Sequence, residues 1–556
     1  MVIDIESQGM DIEEWGASLH IDRGFPIGIG VKDDEENIGF YYAPFSGELI
    51  KKIQDSDSLV VHNAKFDIRM LGKNKNFLYN KNIIDTALLA YLYDETTSHR
   101  LKKLAKSILK CDVEFNSYKD VPPQDLEKYC LKDIDYTDKL FKFFINNLHS
   151  SLWELYYKID EPFLKILIGC EDRGILVDQE KYLKMKVDLL KKREEITCSI
   201  KNLIGDINLN SPKQLVDVLY TQLNMKLKKT KKKNFSVSED SLESIKDEHP
   251  VIGLILEYRK QEKLLNTFIS PLSTYIQSDG RVRANFHQTS VEGHGTVTAR
   301  LSCSRPNLQN QPKFVRELFV PEKGKIFWDV DLSQIEVRIP AHYSEDQELV
   351  KAIKEGKDIH TWIASRIYNK EEKDILESER DISKMVVFLI LYGGQEFTLA
   401  KRTGLSVEDS VYLIQSFFNS FPMLEELIQK VRQTAKERGY VKNLFKRRRH
   451  FPPEVWEKDS SKTDRQAFNS LIQSSAGDLL KYLCITFFKK TKNSCLVNTV
   501  HDELLLEIEE DCVEEYSCLW KETLKEVEEE LNFKVPLESK IKIGKDWKNL
   551  KVLDKK

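Results

Sequence analysis

Between Cys495 and Ile508 a polar triplet, His501-Asp502-Glu503, interrupts two runs of strand-forming residues, one ending in Thr499-Val500 and the other running from Leu504 to Ile508. Two such runs joined by so short a polar link read as a β-hairpin. Adjacent carboxylates at its tip do not belong to a core, because an unpaired buried charge costs far more than its packing returns. They fit the mouth of a sheet, where charge is presented to a ligand. A second apolar run, Ile326-Phe327-Trp328-Asp329-Val330-Asp331, likewise ends in an aspartate. The fold must therefore bring two charged strand ends to a surface. The expectation is that Asp331 and Asp502 meet there and hold two divalent cations.

With 556 residues the chain exceeds what one hydrophobic core usually supports, so several domains are expected. Charged residues make up 31%, above the usual ~25%, with Lys and Glu in excess, a bias shared by heat-adapted proteins and by AT-rich coding. The net charge of −4 does not announce a nucleic-acid binder, but two local runs are basic. These are Lys226, Lys228, Lys229, Lys231, Lys232 and Lys233, and then Lys446-Arg447-Arg448-Arg449. Such runs are solvated loops unless the fold lays them along one groove. Nine cysteines without a CxxC pair give neither a zinc site nor a disulfide framework, which suits a reducing compartment. No apolar run is long enough to span a membrane, and the chain opens on a strand without a signal peptide, either naturally or after trimming of a precursor.

Val2, Ile3 and Ile5 form a short strand on which Asp4 and Glu6, two apart, share a face. Strand-like runs at 27–31 and 38–43 continue it as a meander. Leu59-Val60-Val61 is a further strand, and a helix starts near Lys65 with Asp67 in its first turn. Ile83-Ile84-Asp85 is expected to open a helix through Tyr93. Residues 126–148 have strong helical periodicity, with Tyr129 and Asp133 at i and i+4 on one face. Taken singly, each acidic residue reads as surface charge. The ordered set resembles the proofreading 3′–5′ exonucleases, which carry four carboxylates and a tyrosine on a ribonuclease H-like fold. That resemblance implies that Asp4, Glu6, Asp67 and Asp133 bind two metals and that Tyr129 orients the attacking water. Two cations roughly 3.5–4 Å apart clamp the attacking and leaving oxygens of a phosphoryl displacement. Four carboxylates would keep such a site hard and oxygen-only.

Residues 153–169 read as an apolar helix, followed by a short strand at 175–177 and a long charged helix over 179–203. Asn208-Leu209-Asn210-Ser211-Pro212-Lys213-Gln214-Leu215 has a helix-start signature, with Ser211 as N-cap and Pro212 at N1. After the lysine run, Ser238 and Ser241 are rival caps of another helix, and 251–277 is helical again. The Asn-x-Asn-Ser-Pro-Lys-Gln-Leu and Ser-Glu-Asp-x-Leu motifs resemble the thumb of DNA polymerase I-type enzymes, an arm that touches DNA backbone without reading sequence.

Further on, Thr296-Val297-Thr298-Ala299-Arg300-Leu301-Ser302-Cys303-Ser304-Arg305-Pro306-Asn307-Leu308-Gln309-Asn310 is similar to the segment with which family A DNA polymerases meet the primer–template minor groove. Asp331-Leu332-Ser333-Gln334-Ile335-Glu336-Val337-Arg338 resembles the family's first catalytic motif, 380–393 its nucleotide-binding helix, and Val500-His501-Asp502-Glu503 its last catalytic motif. The resemblance runs over nearly the whole chain and omits only the 5′-nuclease domain of some relatives. It implies an α+β multidomain fold: a ribonuclease H-like exonuclease domain at 1–150, connector and thumb at 151–290, a first part of the palm at 291–345, fingers at 346–463, and a second part of the palm at 464–556.

The third motif also reads from its residues alone. Arg380, Lys384, Phe388 and Tyr392 step by four and form one helical stripe, two cations and then two aromatics, roughly 18 Å long. A nucleoside triphosphate has that order of charge and ring. Arg380 and Lys384 should meet phosphate, Phe388 should pack on sugar and base, and Tyr392, before Gly393-Gly394, should sit where the template base enters. A plain amphipathic helix with snorkelling cations is the rival, but Met385, Val386, Val387, Leu389, Ile390 and Leu391 already supply its core.

By resemblance, His360 would touch the phosphates, Glu336 would exclude ribonucleotides, and Gln334 with the backbone carbonyl of Leu332 would complete the nucleotide and metal environment. Arg465, Asn469 and Gln473, four apart on a helix over 464–490, would face the minor groove together with Arg300, Asn307 and Gln309, where acceptors are similarly placed on every base pair. His501 would contact the primer end. Lys384 would also protonate the leaving pyrophosphate. Glu503 is a secondary metal candidate, turned away from Asp502 and acting through water. Mg²⁺ is the expected cation, two per centre, with Mn²⁺ able to substitute. The expected partners are primer–template DNA, dNTPs and a helicase or processivity factor, for a monomer in the cytoplasm of a bacterial or phage-infected cell or in an organelle. Leu332 stands where many relatives have Tyr, Ala299 where Gly precedes Arg300, and Leu389 where Gly commonly follows Phe388. An RNA polymerase or reverse transcriptase on the same palm, an exonuclease-inactive polymerase, a DNA-binding relic and a nuclease-only protein are the alternatives. The relic predicts lost carboxylates, the nuclease a decayed stripe, and neither loss is present.

Overall fold

The computed structural model describes residues 1–9, 24–72, 80–116, 120–225, 227, 235–289, 296–491 and 495–553. The six lysines of the first basic run lie outside them.

The N-terminal sheet has five strands: β1 Val2–Gly9, β2 Gly24–Lys32, β3 Ile38–Tyr42, β4 Ser58–Val61 and β5 Asn82–Asp85. Their spatial order is β3-β2-β1-β4-β5; β1 to β3 are antiparallel, and β4 and β5 run parallel to β1. Ile83-Ile84-Asp85 is therefore a strand and not a helix start. Its isoleucines are buried in parallel pairing with β4, and Asp85 instead caps the next helix, α2 (Thr86–Tyr93), accepting from the backbone N–H of Ala87. Helix α1 (Ala64–Met70) follows β4 and helix α3 (Leu101–Ser107) follows α2; helix α4 (Leu126–Asn147) lies across β1 and β2. The close approach of α4 requires Gly30, where a Cβ would sit 2.5 Å from Ile134 and 2.8 Å from the Cys130 sulfur.

Two long helical stretches follow. Helix α5 (Gln179–Ile204) packs on α6 (Pro250–Lys263), which continues through a π-helical turn, Leu264–Ile269, into Ser270–Tyr275. They share a small core of their own around Ile196, Ile200, Leu215, Leu242 and Ile255. Ser211 caps as expected, accepting from the Gln214 N–H. Ser238 holds the N-cap position of the next helix, but its hydroxyl bonds Ser236 and Ser241 instead of the backbone.

The C-terminal half is built on a second antiparallel sheet. Its strands are β6 (Lys325–Leu332), β7 (Leu496–Val500), β8 (Glu503–Glu509), β9 (Ser539–Gly544) and β10 (Lys551–Val552), in the order β7-β8-β6-β9-β10. Helices α7 (Ile335–Ser344), α8 (Ile359–Tyr368) and α9 (Glu377–Leu391) lie between β6 and the 32-residue helix α10 (Ser460–Thr491). Trp328 of β6 is fully buried, stacked on Phe487 of α10 at 5.7 Å, with its indole N–H on Ser517. One hydrophobic cluster runs without a break from Met1 to Trp547, so the two sheets share a core.

In the second basic run Lys446 alone is exposed. Arg447 is buried against Asp160 and Asp478, Arg449 pairs with Glu95 at 2.8 Å, and Arg448 lies over the Tyr440 ring. Two of these four charges, Arg447 and Arg449, tie distant parts of the chain together. Among the described residues no helix is long and apolar enough to cross a membrane.

Candidate active sites: two carboxylate centres

The tip of the β7–β8 hairpin sits beside the end of β6. Asp331 lies directly opposite Glu503 in the antiparallel register, and the N–H of Leu332 donates to the Asp502 carbonyl at 3.1 Å. Asp331 and Asp502 therefore meet, as the strand ends predicted. Their side chains have different surroundings. Burial pushes the Asp502 carboxyl up to about 6; Arg300 opposes that shift from 4.0 Å, while Glu336 and Asp331 reinforce it. Asp331 is open to solvent on one side, 3.5 Å from the Lys542 ammonium.

Arg300 also bonds Glu336 at 2.9 Å, and the Tyr392 hydroxyl donates to the same carboxylate at 2.5 Å. This links Glu336, at the first turn of α7, to the end of α9. Along α9 the predicted stripe is intact: Lys384 and Tyr392 are exposed, Arg380 and Phe388 half-buried, and Val386, Val387, Ile390 and Leu391 buried behind them. Arg380 is held by Asp358 at 3.0 Å, and His360 packs 6.1 Å from the Phe388 ring with its Nδ1 buried and unpartnered. Burial lowers the pKa of His360, so the ring is neutral and short of one hydrogen bond. A cavity of about 410 Å³ opens beside Asp331 and reaches Ser333, Gln334, Lys357, Asp358 and Lys540.

On α10 every residue from 467 to 488 is buried except Asn469 and Gln473, which with half-buried Arg465 form the one open stripe. Asn469 donates to the Leu391 carbonyl at 3.3 Å. Asn307 accepts from the N–H groups of Gln309 and Asn310, and Gln309 donates to the Thr499 carbonyl, so this turn is tied to β7. His501 is exposed at the hairpin tip in the left-handed region, φ +55°.

The second centre lies in the N-terminal sheet. Asp4 and Glu6 project from one face of β1; Asp67 of α1 accepts from the Ile5 N–H at 2.7 Å, and Asp133 of α4 is paired with Lys102 of α3. The Lys102 ammonium stands 4.0 Å over the Tyr129 ring. Burial raises Asp4 to about 6 and Glu6 to about 8, the latter reinforced by Asp4, while burial lowers Lys102 to about 8 against the pull of both carboxylates. Asp67 is raised as well, first by burial. Three of the four predicted carboxylates, Asp4, Glu6 and Asp133, therefore gather around Lys102, and Asp67 lies against Asp4 and Glu6. The Cys130 thiol borders this shell: it donates to Asp4 at 3.4 Å, and Asp4, Glu6 and Cys130 lie close enough together to face a single ion.

Residues 179–549 match the model of DNA polymerase family A, two thirds of the chain, and 42–149 match that of a 3′-5′ exonuclease. The chain belongs to DNA polymerase family A. It is 32% identical to DNA polymerase I of Borreliella burgdorferi over 98% of its own length and 62% of that protein. To the thermostable DNA polymerase I of Thermus filiformis it is 34% identical over 74% of itself and 50% of that protein. It therefore spans less than two thirds of the length of these curated relatives. Among solved structures it resembles the POL domain of Pol1 from M. smegmatis in complex with DNA primer-template and dNTP, at 25% identity and a TM-score of 0.82, covering 94% of this chain and 93% of that one.

Several functional neighbours in this family A chain escaped sequence reasoning. Asp329 shares a face of β6 with Asp331 by strand period, yet it is fully buried. Burial and then Glu503 push its carboxyl up to about 8, and Lys542 of β9 bonds it at 3.0 Å. Glu503 leans toward Asp329 and the Trp547 indole N–H, away from Asp502, in line with strand alternation. Lys102 gave no signal in the sequence, and Cys130 gave none beyond its place next to Tyr129. Both centres fit hard divalent cations: each gathers several carboxylates, with Asp502 beside Arg300 in one and Asp4 and Glu6 beside Lys102 in the other, and burial raises these three carboxyls.

Proposed function

We propose that the chain is a DNA-directed DNA polymerase that extends a primer 3′-hydroxyl with deoxynucleotides and removes mispaired ends at a separate 3′–5′ exonuclease centre. The observation that carries this reading is the convergence of Asp331 and Asp502, from strands far apart in sequence, beside the cavity at Asp331 and the Arg380–Lys384–Phe388–Tyr392 stripe. Asp331 and Asp502, with the Leu332 carbonyl and more remotely Glu503, would hold Mg²⁺, two ions per centre, with Mn²⁺ able to substitute. Such ions, when bound, lower the pKa of the attacking hydroxyl and balance charge on the leaving pyrophosphate.

The protein's own groups do the rest. Arg380 and His360 bind phosphate oxygens, which requires Arg380 to exchange Asp358 for the triphosphate. Lys384 donates a proton to the leaving group, Gln334 and Phe388 hold the sugar and base, and Tyr392 guards the template entry. The Glu336 carboxylate, fixed by Arg300 and Tyr392, fills the space a 2′-hydroxyl would need. Arg300, Asn307, Gln309, Arg465, Asn469, Gln473 and His501 line the primer–template track. In the second centre Asp4, Glu6, Asp67 and Asp133 would hold the ions, and Tyr129 would orient water on the scissile phosphate. A monomer working with a helicase or processivity factor in a bacterial or phage-infected cell fits this reading.

The test is extension of a 5′-labelled primer with matched or mismatched 3′ ends on DNA and RNA templates in Mg²⁺. Asp331→Asn or Asp502→Asn should abolish extension and spare trimming; Asp4→Ala with Glu6→Ala should do the reverse. Trimming that survives the second pair sinks the exonuclease assignment, and preferred extension on RNA sinks the choice of template.

A further inference from the structure

We propose that Tyr91, a residue of the N-terminal sheet domain, is a positioning residue for the polymerising centre: it holds the turn from Thr296 to Arg300 in the conformation that aims Arg300 at Asp502 and Glu336. The proposal rests on the polymerase reading above and adds a physical link between the two centres.

Tyr91 lies on α2 and is 3% exposed. Its hydroxyl accepts from the Ala299 N–H at 3.1 Å and donates to the Thr296 carbonyl at 3.0 Å, closing both ends of the turn. The turn needs such a clamp. Ala299 sits at φ +58°, in the left-handed region, which costs a residue with a Cβ roughly 1–2 kcal/mol. On its other side the backbone is pressed against α10 at Gly477, where a Cβ would come within 3.1–3.2 Å of the Ala299 carbonyl and the Arg300 nitrogen. Within the turn the Thr296 hydroxyl donates to the Arg300 carbonyl at 2.6 Å. Arg300 follows at once and reaches Glu336 and Asp502 from there.

Tyr91 is itself immobilised. Its ring lies 5.8 Å from the Arg447 guanidinium, which is tied to Asp160 and Asp478. Burial pushes its phenol pKa further up, so the hydroxyl keeps its proton and donates throughout the working range. A helix of the trimming domain thus supports the backbone of the extending one. Released from Tyr91, Ala299 relaxes toward negative φ and Arg300 swings off its carboxylates.

The experiment uses the full chain. Tyr91→Phe removes one oxygen and keeps the ring. It should lower kcat/KM for nucleotide incorporation about tenfold, the scale of lost buried hydrogen bonds, while trimming of single-stranded DNA stays at the wild-type rate. Adding Ala299→Gly should restore most of the loss, because glycine adopts φ > 0 without strain and keeps the turn unaided. In an Arg300→Ala background, Tyr91→Phe should have no further effect. Wild-type extension by Tyr91→Phe, absence of rescue by Ala299→Gly, or full additivity with Arg300→Ala each overturns the proposal. A wild-type protein that trims but extends no primer overturns the polymerase reading itself, a result distinguishable from all three.

Discussion

Replacing Arg447 by methionine tests what joins the halves of the molecule. Arg447 is 4% exposed and donates to both oxygens of Asp478, at 2.7 and 2.9 Å, and to Asp160 at 2.8 Å. Asp478 and Lys481 lie on α10, Asp160 just before the helix Glu161–Arg173, and all three are buried. Burial alone would raise the Asp478 carboxyl; Arg447 and Lys481 together hold it below its ordinary value. The cluster is balanced, with two cations and two anions. Without Arg447 one lysine faces two buried carboxylates. Removing one partner of a buried pair costs about 3–5 kcal/mol, and the Lys481 ammonium, 3.6 Å from Asp478, places the expected loss at the lower end, about 3 kcal/mol.

Urea unfolding followed by tryptophan fluorescence reads that loss as a lower midpoint. The charge argument makes a second demand. Arg447→Met with Asp478→Asn leaves one cation and one anion, so the double variant should be more stable than the single one, although it carries more changes. A loss below about 1 kcal/mol for Arg447→Met, or a double variant no more stable than the single, refutes the reasoning.

Other residues give independent checks. Glu6 is raised by burial from 4.5 to about 8, and a raised carboxyl stabilises the fold below its unfolded pKa, with that stability lost as pH rises through about 8. Metal-free wild type should therefore lose melting temperature relative to Glu6→Gln between pH 5 and 8; a gap that does not change with pH contradicts this. By the same linkage, cation binding at pH 7 should release protons, read as calorimetric heat that varies with buffer ionisation enthalpy and shrinks in Glu6→Gln. Glu336→Ala should let ribonucleotides into product several-fold more readily, measured by competing ATP against dATP; unchanged selectivity removes Glu336 from that role. Phe388→Tyr should reduce discrimination against dideoxynucleotides, scored by chain-termination frequency, and an unchanged frequency would separate Phe388 from the sugar.

The chemistry of this chain was easier to read in its sequence than the forces that aim it. Asp4 and Glu6 read singly as surface charge, but an apolar strand-like run that ends in a carboxylate has few physical uses, and so Asp331 and Asp502 stood out. Four residues at helical spacing with cations before aromatics did the same for α9. These signals are local, and local periodicity survives without knowledge of the fold. Ile83-Ile84-Asp85 was too short to choose between strand and helix, and pairing with Ser58–Val61 chose strand. Asp329 and Asp331 look equivalent in sequence; β9, brought in from far downstream with Lys542, decides which is buried. Arg447 looked solvated because its partner Asp160 lies 287 residues away. Tyr91 carries no sequence signal of its own, although its hydroxyl closes a turn more than 200 residues on. In each case a short stretch supplied the charge or hydroxyl and a distant one gave it a task. Residues that meet substrate must combine a fixed chemistry with a fixed spacing, and so leave a pattern. Those that hold them in place need only arrive at the right point, and their roles appear only when the chain is folded.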